Sequence, residues 1–109
     1  MPPVRMRRGL RVVRILVGEM RMNPHGTLET LIDHARRAAL AGGLLRITRM
    51  HFKLGPDAEL SGHELRDMLA PKFHGPLLEH CHVTWEPAGE SGLTLASIEG
   101  LIPQERLAR

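Results

Sequence analysis

The sequence contains one cysteine, no tyrosine, and three large aromatic residues, which are Phe52, Phe73 and Trp85. One cysteine cannot form a disulfide within the chain, and without a Cys-x-x-Cys pair the sequence lacks the common motif of structural zinc sites. Both features favour a reducing, cytoplasmic location. With so few aromatic residues, the chain is also poorly supplied for a surface on which nucleic-acid bases stack.

Long apolar segments and catalytic motifs are absent as well. No run approaches about 18 apolar residues, so we expect no transmembrane helix and no membrane contact. The basic N-terminus is not followed by the apolar stretch and cleavage site of a secretory signal. Gly-x-Ser-x-Gly, P-loop, Gly-x-Gly-x-x-Gly and His-Glu-x-x-His motifs are not present. We therefore predict a protein that is not an enzyme.

Positive charge is concentrated at one end of the chain. Residues 1–21 have a net charge of +5 and the remainder a net charge of −2. A basic arm formed by Arg5, Arg7, Arg8 and Arg11 could bind nucleic acid or an acidic partner. The alternative is a solvated tail followed by a strand with arginines on its wet face.

The chain length of 109 residues suits one domain. We expect a basic flexible tail over 1–9, a single domain over 10–100 and a C-terminal tail over 101–109. Hydrophobic periodicity predicts strands over 10–17, 46–54, 78–86 and 92–99, and helices over 27–41 and from Ser61 to Pro71. In the first strand Val13, Ile15 and Val17 should share one face. The second helix should begin with a capping box of Ser61 and Glu64, and its apolar stripe should be Leu65, Met68 and Leu69. The order β-α-β-α-β-β predicts an α+β fold of two layers, with a small, mostly antiparallel or mixed sheet and two helices on one face.

Alternation along the strands predicts the core and the pairing. We expect the last two strands to form a hairpin, with Trp85 opposite Leu93 and Val83 opposite Leu95. These four residues should be buried in one core with Met50, Phe52, Leu31 and Leu65. In the first helix the predicted buried stripe is Leu28, Leu31, Ile32, Ala35 and Ala39.

Histidines offer a candidate metal site. His80 and His82 flank the only cysteine, and in a strand they would point to one face while Cys81 points into the core. His51 lies on the corresponding face of another strand, so His80, His82 and His51 together could hold zinc, copper or nickel. The competing interpretation is that these are surface histidines. Met20, Met22 and His25 form a second, softer candidate.

The sheet face opposite the helices is the candidate interaction surface. By alternation it should carry Arg49 among the histidines, with Ile47 and Ile98 as apolar members. A mixed surface of this kind, together with an unpaired edge on the first strand, predicts a homo-oligomer or a complex with a protein partner.

Several short segments follow one another in a recognisable order: DHARR over 33–37, Gly42-Gly43, ITRMHFKLG over 47–55, LSG over 60–62 with LRDML over 65–69, the strand over 78–87 and GLTLASIE over 92–99. Together they resemble the HypA/HybF family of hydrogenase nickel-insertion proteins. The resemblance covers roughly Thr27 to Gly100. It implies the α+β fold, and an accessory role in maturation of a nickel–iron hydrogenase or another metalloenzyme.

The chain departs from the family pattern at both metal sites. The family has a zinc-binding insert with two Cys-x-x-Cys pairs between its last two strands, where this chain has only Pro87 to Gly92. The family begins Met-His-Glu, whereas this chain begins Met1-Pro2-Pro3, and proline has no amide proton to lose to a metal. We expect no resident cofactor, and only weak binding of nickel or zinc.

Three functions follow as hypotheses. The first is a HypA-like accessory protein for metalloenzyme maturation, without the standard nickel and zinc sites of the family. The second is a metal-free protein–protein interaction module, and the third is nucleic-acid binding through the N-terminal arginines.

Overall fold

The computed structural model describes residues 10–21, 28–56, 60–89 and 92–103, with only the backbone described for 18–21. It contains strands β1 (Leu10–Arg21), β2 (Arg46–Leu54), β3 (His82–Pro87) and β4 (Leu93–Pro103), and helices α1 (Leu28–Ala41) and α2 (Gly62–Leu69). The predicted α+β class and element order are confirmed. No helix in the described ranges is both long and apolar enough to span a membrane.

The four strands form one mixed sheet in the order β1-β4-β2-β3. Strand β4 is antiparallel to both β1 and β2, whereas β3 is parallel to β2. The predicted β3–β4 hairpin is therefore wrong: Trp85 lies beside Phe52, and Leu95 also pairs with Phe52. Strand β4 is mostly buried along Leu93–Gly100, and so apolar a strand is more stable in the centre of the sheet than beside an exposed edge.

Both helices form where their sequence signals predict. In α1 the buried residues are the five of the predicted stripe. Helix α2 begins with the predicted capping box, in which the Glu64 backbone N–H donates to Ser61 Oγ and the Ser61 backbone N–H donates to the Glu64 carboxylate. It ends at Leu69, and Pro71 lies in the short 3-10 turn over Ala70–Lys72 that follows. Met68, expected in the apolar stripe, is instead exposed.

One core lies between the helices and the sheet. Seven of the eight predicted core residues are buried in it: Leu31, Met50, Phe52, Leu65, Val83, Leu93 and Leu95. Trp85 is only half-buried and packs against the edge of this core. Its ring meets His63 edge-on, with ring centroids 5.1 Å apart.

Three strand boundaries differ from the prediction. Strand β1 continues to Arg21, past an irregularity between Leu16 and Met20. Strand β3 begins only at His82, because residues 76–80 form turns and His80 has φ of 63°. Strand β4 continues to Pro103, which pairs with Leu10, so residues 101–103 belong to the sheet rather than to a tail. The predicted tail over 1–9 lies outside the described residues, as do Thr27 and residues 104–109.

Gly62 allows α2 to lie directly against Trp85. A Cβ at this position would overlap the indole ring of Trp85. We expect Gly62→Ala to lower the free energy of unfolding by about 1–3 kcal/mol, because the ring must move out of its contact with His63. Urea unfolding followed by Trp85 fluorescence measures this change.

Gly89→Ala is the matched control, because a Cβ there would meet no atom within 4 Å. An equal loss of stability in both variants would contradict the close packing of α2 on Trp85.

Candidate interaction surface

The sheet face away from the helices, here called the open face, is formed by alternate residues of the four strands. Strand β1 contributes Leu10, Val12, Arg14 and Leu16; β4 contributes Thr94, Ser97, Glu99 and Leu101; β2 contributes Arg46, Arg49, His51 and Lys53; and β3 contributes His82, Thr84 and Glu86. No helix among the described residues covers this face. Any chemistry on it therefore takes place at the protein surface.

Two bulges decide which side chains reach the open face. Between Ile47 and Arg49 the register of β2 against β4 shifts by one residue, so Thr48 is extra. A second shift leaves Ala96 extra between Leu95 and Ser97. Each bulge reverses the alternation that follows it.

The predicted interface residues Ile47 and Ile98 consequently do not line the open face. Both are 0% exposed and belong to the core between sheet and helices. Ile47 pairs with Gly100, where a Cβ would overlap the backbone of Arg46, so the close approach of the two strands requires glycine. After the bulge at Ala96, Ser97 and Glu99 take the open-face places that simple alternation from Thr94 gives to Ala96 and Ile98. Arg49 is on the open face, as predicted.

Charged side chains form a row across the open face. Arg14 and Arg49 pair with Glu99 from the strands on either side of it, and Arg49 Nε lies 3.6 Å from the Glu99 carboxylate. His82 continues the row beside Arg49. Because Arg49 is about half exposed, the ion pair contributes less than about 1 kcal/mol to stability. Its larger effect is to fix where positive and negative charge are presented.

His51 is held by hydrogen bonds to two residues of β3. Its Nδ1 lies 2.8 Å from Thr84 Oγ1 and its Nε2 lies 3.2 Å from Glu86 Oε1. A carboxylate can only accept, so Nε2 carries the proton, and in the neutral ring Nδ1 accepts from the Thr84 hydroxyl. Neither nitrogen then has a lone pair available for a metal ion.

The three histidines of the predicted metal site are not brought together. His80 lies in the turn before β3, with its ring near Glu79 rather than on the strand. His82 lies beside Arg49, whose positive charge opposes a bound cation. Within the described ranges, no three His, Cys, Asp or Glu side chains are grouped so that they could hold a metal ion. Met22 and His25 of the second candidate lie outside the described residues, and of Met20 only the backbone is described.

Cys81 is half-buried against the core, in agreement with its predicted place in the core. Burial raises the pKa of its thiol to about 12, although a hydrogen bond with the Met50 backbone opposes the shift. Metal binding and nucleophilic attack both need the thiolate. Cys81 is therefore a packing residue at neutral pH.

Exposed apolar side chains on β1 are the feature that the sequence reasoning missed. Leu10, Val12 and Leu16 are 56%, 61% and 75% exposed, although Val13, Ile15 and Val17, which share the other face of β1, pack against the core. The signal was present in the sequence, because β1 is apolar at both odd and even positions. A strand that is apolar on both faces is typical of one that makes contacts on both.

Of the predicted basic arm, the structure describes Arg11 alone. It is exposed on β1. Arg5, Arg7 and Arg8 lie outside the described residues.

The raised pKa of Cys81 predicts a loss of stability in alkali. The unfolded chain loses the thiol proton near pH 9, whereas the folded chain keeps it until about 12. The unfolded state is thus favoured increasingly as pH rises from about 9 towards 12, and the contribution is fully present below pH 9. Urea unfolding at pH 7.5 and pH 10.5 should show a larger fall for the natural chain than for Cys81→Ser. An equal fall would contradict the burial of the thiol.

The dispersed histidines predict weak metal binding. After treatment with a chelator, elemental analysis should find less than one nickel or zinc ion per chain, because no three ligands converge in the described part of the chain. One tightly held metal per chain that disappears in His80→Ala/His82→Ala would contradict this expectation.

Comparison of the chain with models of protein families, with curated proteins and with solved structures finds no match.

Proposed function

We propose that this chain is a non-catalytic protein-binding module that uses the open face and strand β1 to contact a protein partner. The observation that carries this proposal is the group of three exposed apolar side chains on β1, Leu10, Val12 and Leu16. Leaving them in water has a cost, since burial of a fully exposed Val or Leu side chain contributes about 1.5–3 kcal/mol and each of these is more than half exposed.

The surroundings of these side chains resemble a protein interface. Arg14 lies between Val12 and Leu16 on the same face, and Glu99 and Arg49 continue the charged row beyond it. Protein interfaces commonly combine an apolar centre with a polar rim in which arginine is enriched. A long edge strand adds a row of backbone groups with which another chain can pair.

The resemblance to HypA/HybF proteins suggests the class of partner. The segments that carry the resemblance lie in α1, β2, α2, β3 and β4, and these elements follow one another in the order that the family pattern implies. A metalloenzyme or one of its maturation factors is the partner that this resemblance favours. The proposal requires no resident metal, in keeping with the missing zinc insert between β3 and β4.

Site-specific photo-crosslinking tests the proposal. A benzophenone amino acid at Leu16 should form adducts with another protein chain in the source cells, because that side chain is on the proposed surface. The same amino acid at Leu40 is the matched control, since Leu40 is 69% exposed but lies on α1 in the helical layer.

Mass spectrometry of the adducts then identifies the partner, which can be a second copy or a different protein. Adducts that form equally well from Leu16 and Leu40, or from neither, would contradict the proposed surface.

A further inference from the structure

Strand β1 is an edge strand whose outer side has no partner strand in the described sheet. The order β1-β4-β2-β3 leaves β1 paired with β4 alone. Residues 10–16 pair with β4 in an unbroken register, and the irregularity begins only after Leu16. The chain thus presents seven regular residues that another strand could extend.

We infer that the partner of this edge is a second copy of the chain, whose β1 pairs antiparallel over Leu10–Leu16 with Val13 opposite Val13 of the partner. Two four-stranded sheets then become one sheet of eight strands, with all four helices on one side. This inference rests on the proposed function and names a second copy as the partner of strand β1, so the metalloenzyme or maturation factor would contact the rest of the open face.

Symmetry restricts the possible registers. In an antiparallel pair, residues opposite each other point to the same face. When a twofold axis perpendicular to the sheet relates the two strands, each register is therefore centred on one residue facing its own copy. The choice of register then reduces to the choice of the central residue.

Charge and length select Val13 as the centre. Centring on Arg14 would set two arginines directly opposite each other, which is destabilising. Centring on Val12 would pair only five residues of the regular stretch, and centring on Ile15 would extend the pairing into the irregular segment after Leu16. Centring on Val13 uses all seven residues and sets no arginine opposite another.

This register brings the exposed leucines together on the open face, while on the helix-covered face Val13 lies opposite its own copy and Arg11 lies opposite Ile15 of the partner. On the open face Leu10 lies opposite Leu16 of the partner, and Val12 lies opposite Arg14 of the partner, each contact occurring twice. Arg14 also retains Glu99 on its other side, which offsets its charge. The exposed leucines thus cover each other, and this accounts for their position on both ends of the same seven-residue stretch.

A disulfide experiment tests the register directly. Two variants are prepared in a Cys81→Ser background, one with Leu10→Cys and one with Leu16→Cys, the second enlarged by a short tag. Opposite residues in an antiparallel pair have Cα atoms about 4.5–5.5 Å apart, which suits a disulfide. Two copies of position 16 are instead roughly 20 Å apart in this register.

Mild oxidation with glutathione disulfide should therefore link Leu10→Cys chains to Leu16→Cys chains when the two are mixed. Each variant alone should remain at the mass of a single chain on a non-reducing gel. Linked dimers of either variant alone, or no mixed dimer, would overturn the register.

A matched pair of charge variants tests the same contact without cysteines. Val12 is exposed in the single chain, so Val12→Glu and Val12→Arg are both tolerated there. In the dimer, Val12→Glu faces Arg14 of the partner twice, whereas Val12→Arg repels it twice. Sedimentation should give a dissociation constant for Val12→Glu that is roughly tenfold below that for Val12→Arg.

Equal weakening by both substitutions would overturn the Val13-centred register. A 12.2 kDa species at all concentrations would overturn self-association altogether. The two proposals can be told apart. If no dimer of this chain forms but a different protein crosslinks from Leu16, the proposed function stands and only the inference of a second copy is overturned.

Discussion

Pairing of β4 along both of its edges is the interaction on which the rest of the fold depends. It joins β1 on one side to β2 on the other, and β2 in turn holds β3. Without β4, strand β1 would have no partner in the described sheet. Leu95 and Ile98 on this strand are fully buried and place the centre of the core under the middle of the sheet. Every residue of the open face is positioned relative to β4.

Close backbone approach makes this central position possible. Gly100 lies against the backbone of Arg46 at the start of β2, where any side chain would push the two strands apart. Ile47 can then turn into the core beside it, and the bulge at Thr48 returns Arg49 to the open face. The Thr48 hydroxyl donates a hydrogen bond to the Glu99 carbonyl oxygen at this bulge. A local irregularity thus sets both the core and the charged row.

The two faces of the sheet consequently have different roles. The covered face supplies the hydrophobic core. The open face presents apolar side chains on β1 and hydrogen-bonded polar side chains on β2 and β3. His51, Thr84 and Glu86 satisfy one another there, so this part of the surface is already paired within the chain. In the described sheet the outer side of β1 has no partner strand and its exposed side chains are mostly apolar, and for that reason association is proposed at β1 rather than at the histidines.

The element order, the buried stripe of α1, the capping box of α2 and the shared face of Val13, Ile15 and Val17 can be predicted from the sequence, because they depend on periodicity and on contacts between near neighbours. The position of β4 between β1 and β2 follows only from the folded chain, since strand order depends on contacts between residues far apart in the sequence. The burial of Ile47 and Ile98 in the core also follows only from the folded chain, because a bulge reverses alternation without any clear mark in the sequence. The separation of His51, His80 and His82 is likewise visible only in the folded chain. Their spacing in the sequence allowed a cluster, but β3 begins only at His82 and His80 lies in the turn before it.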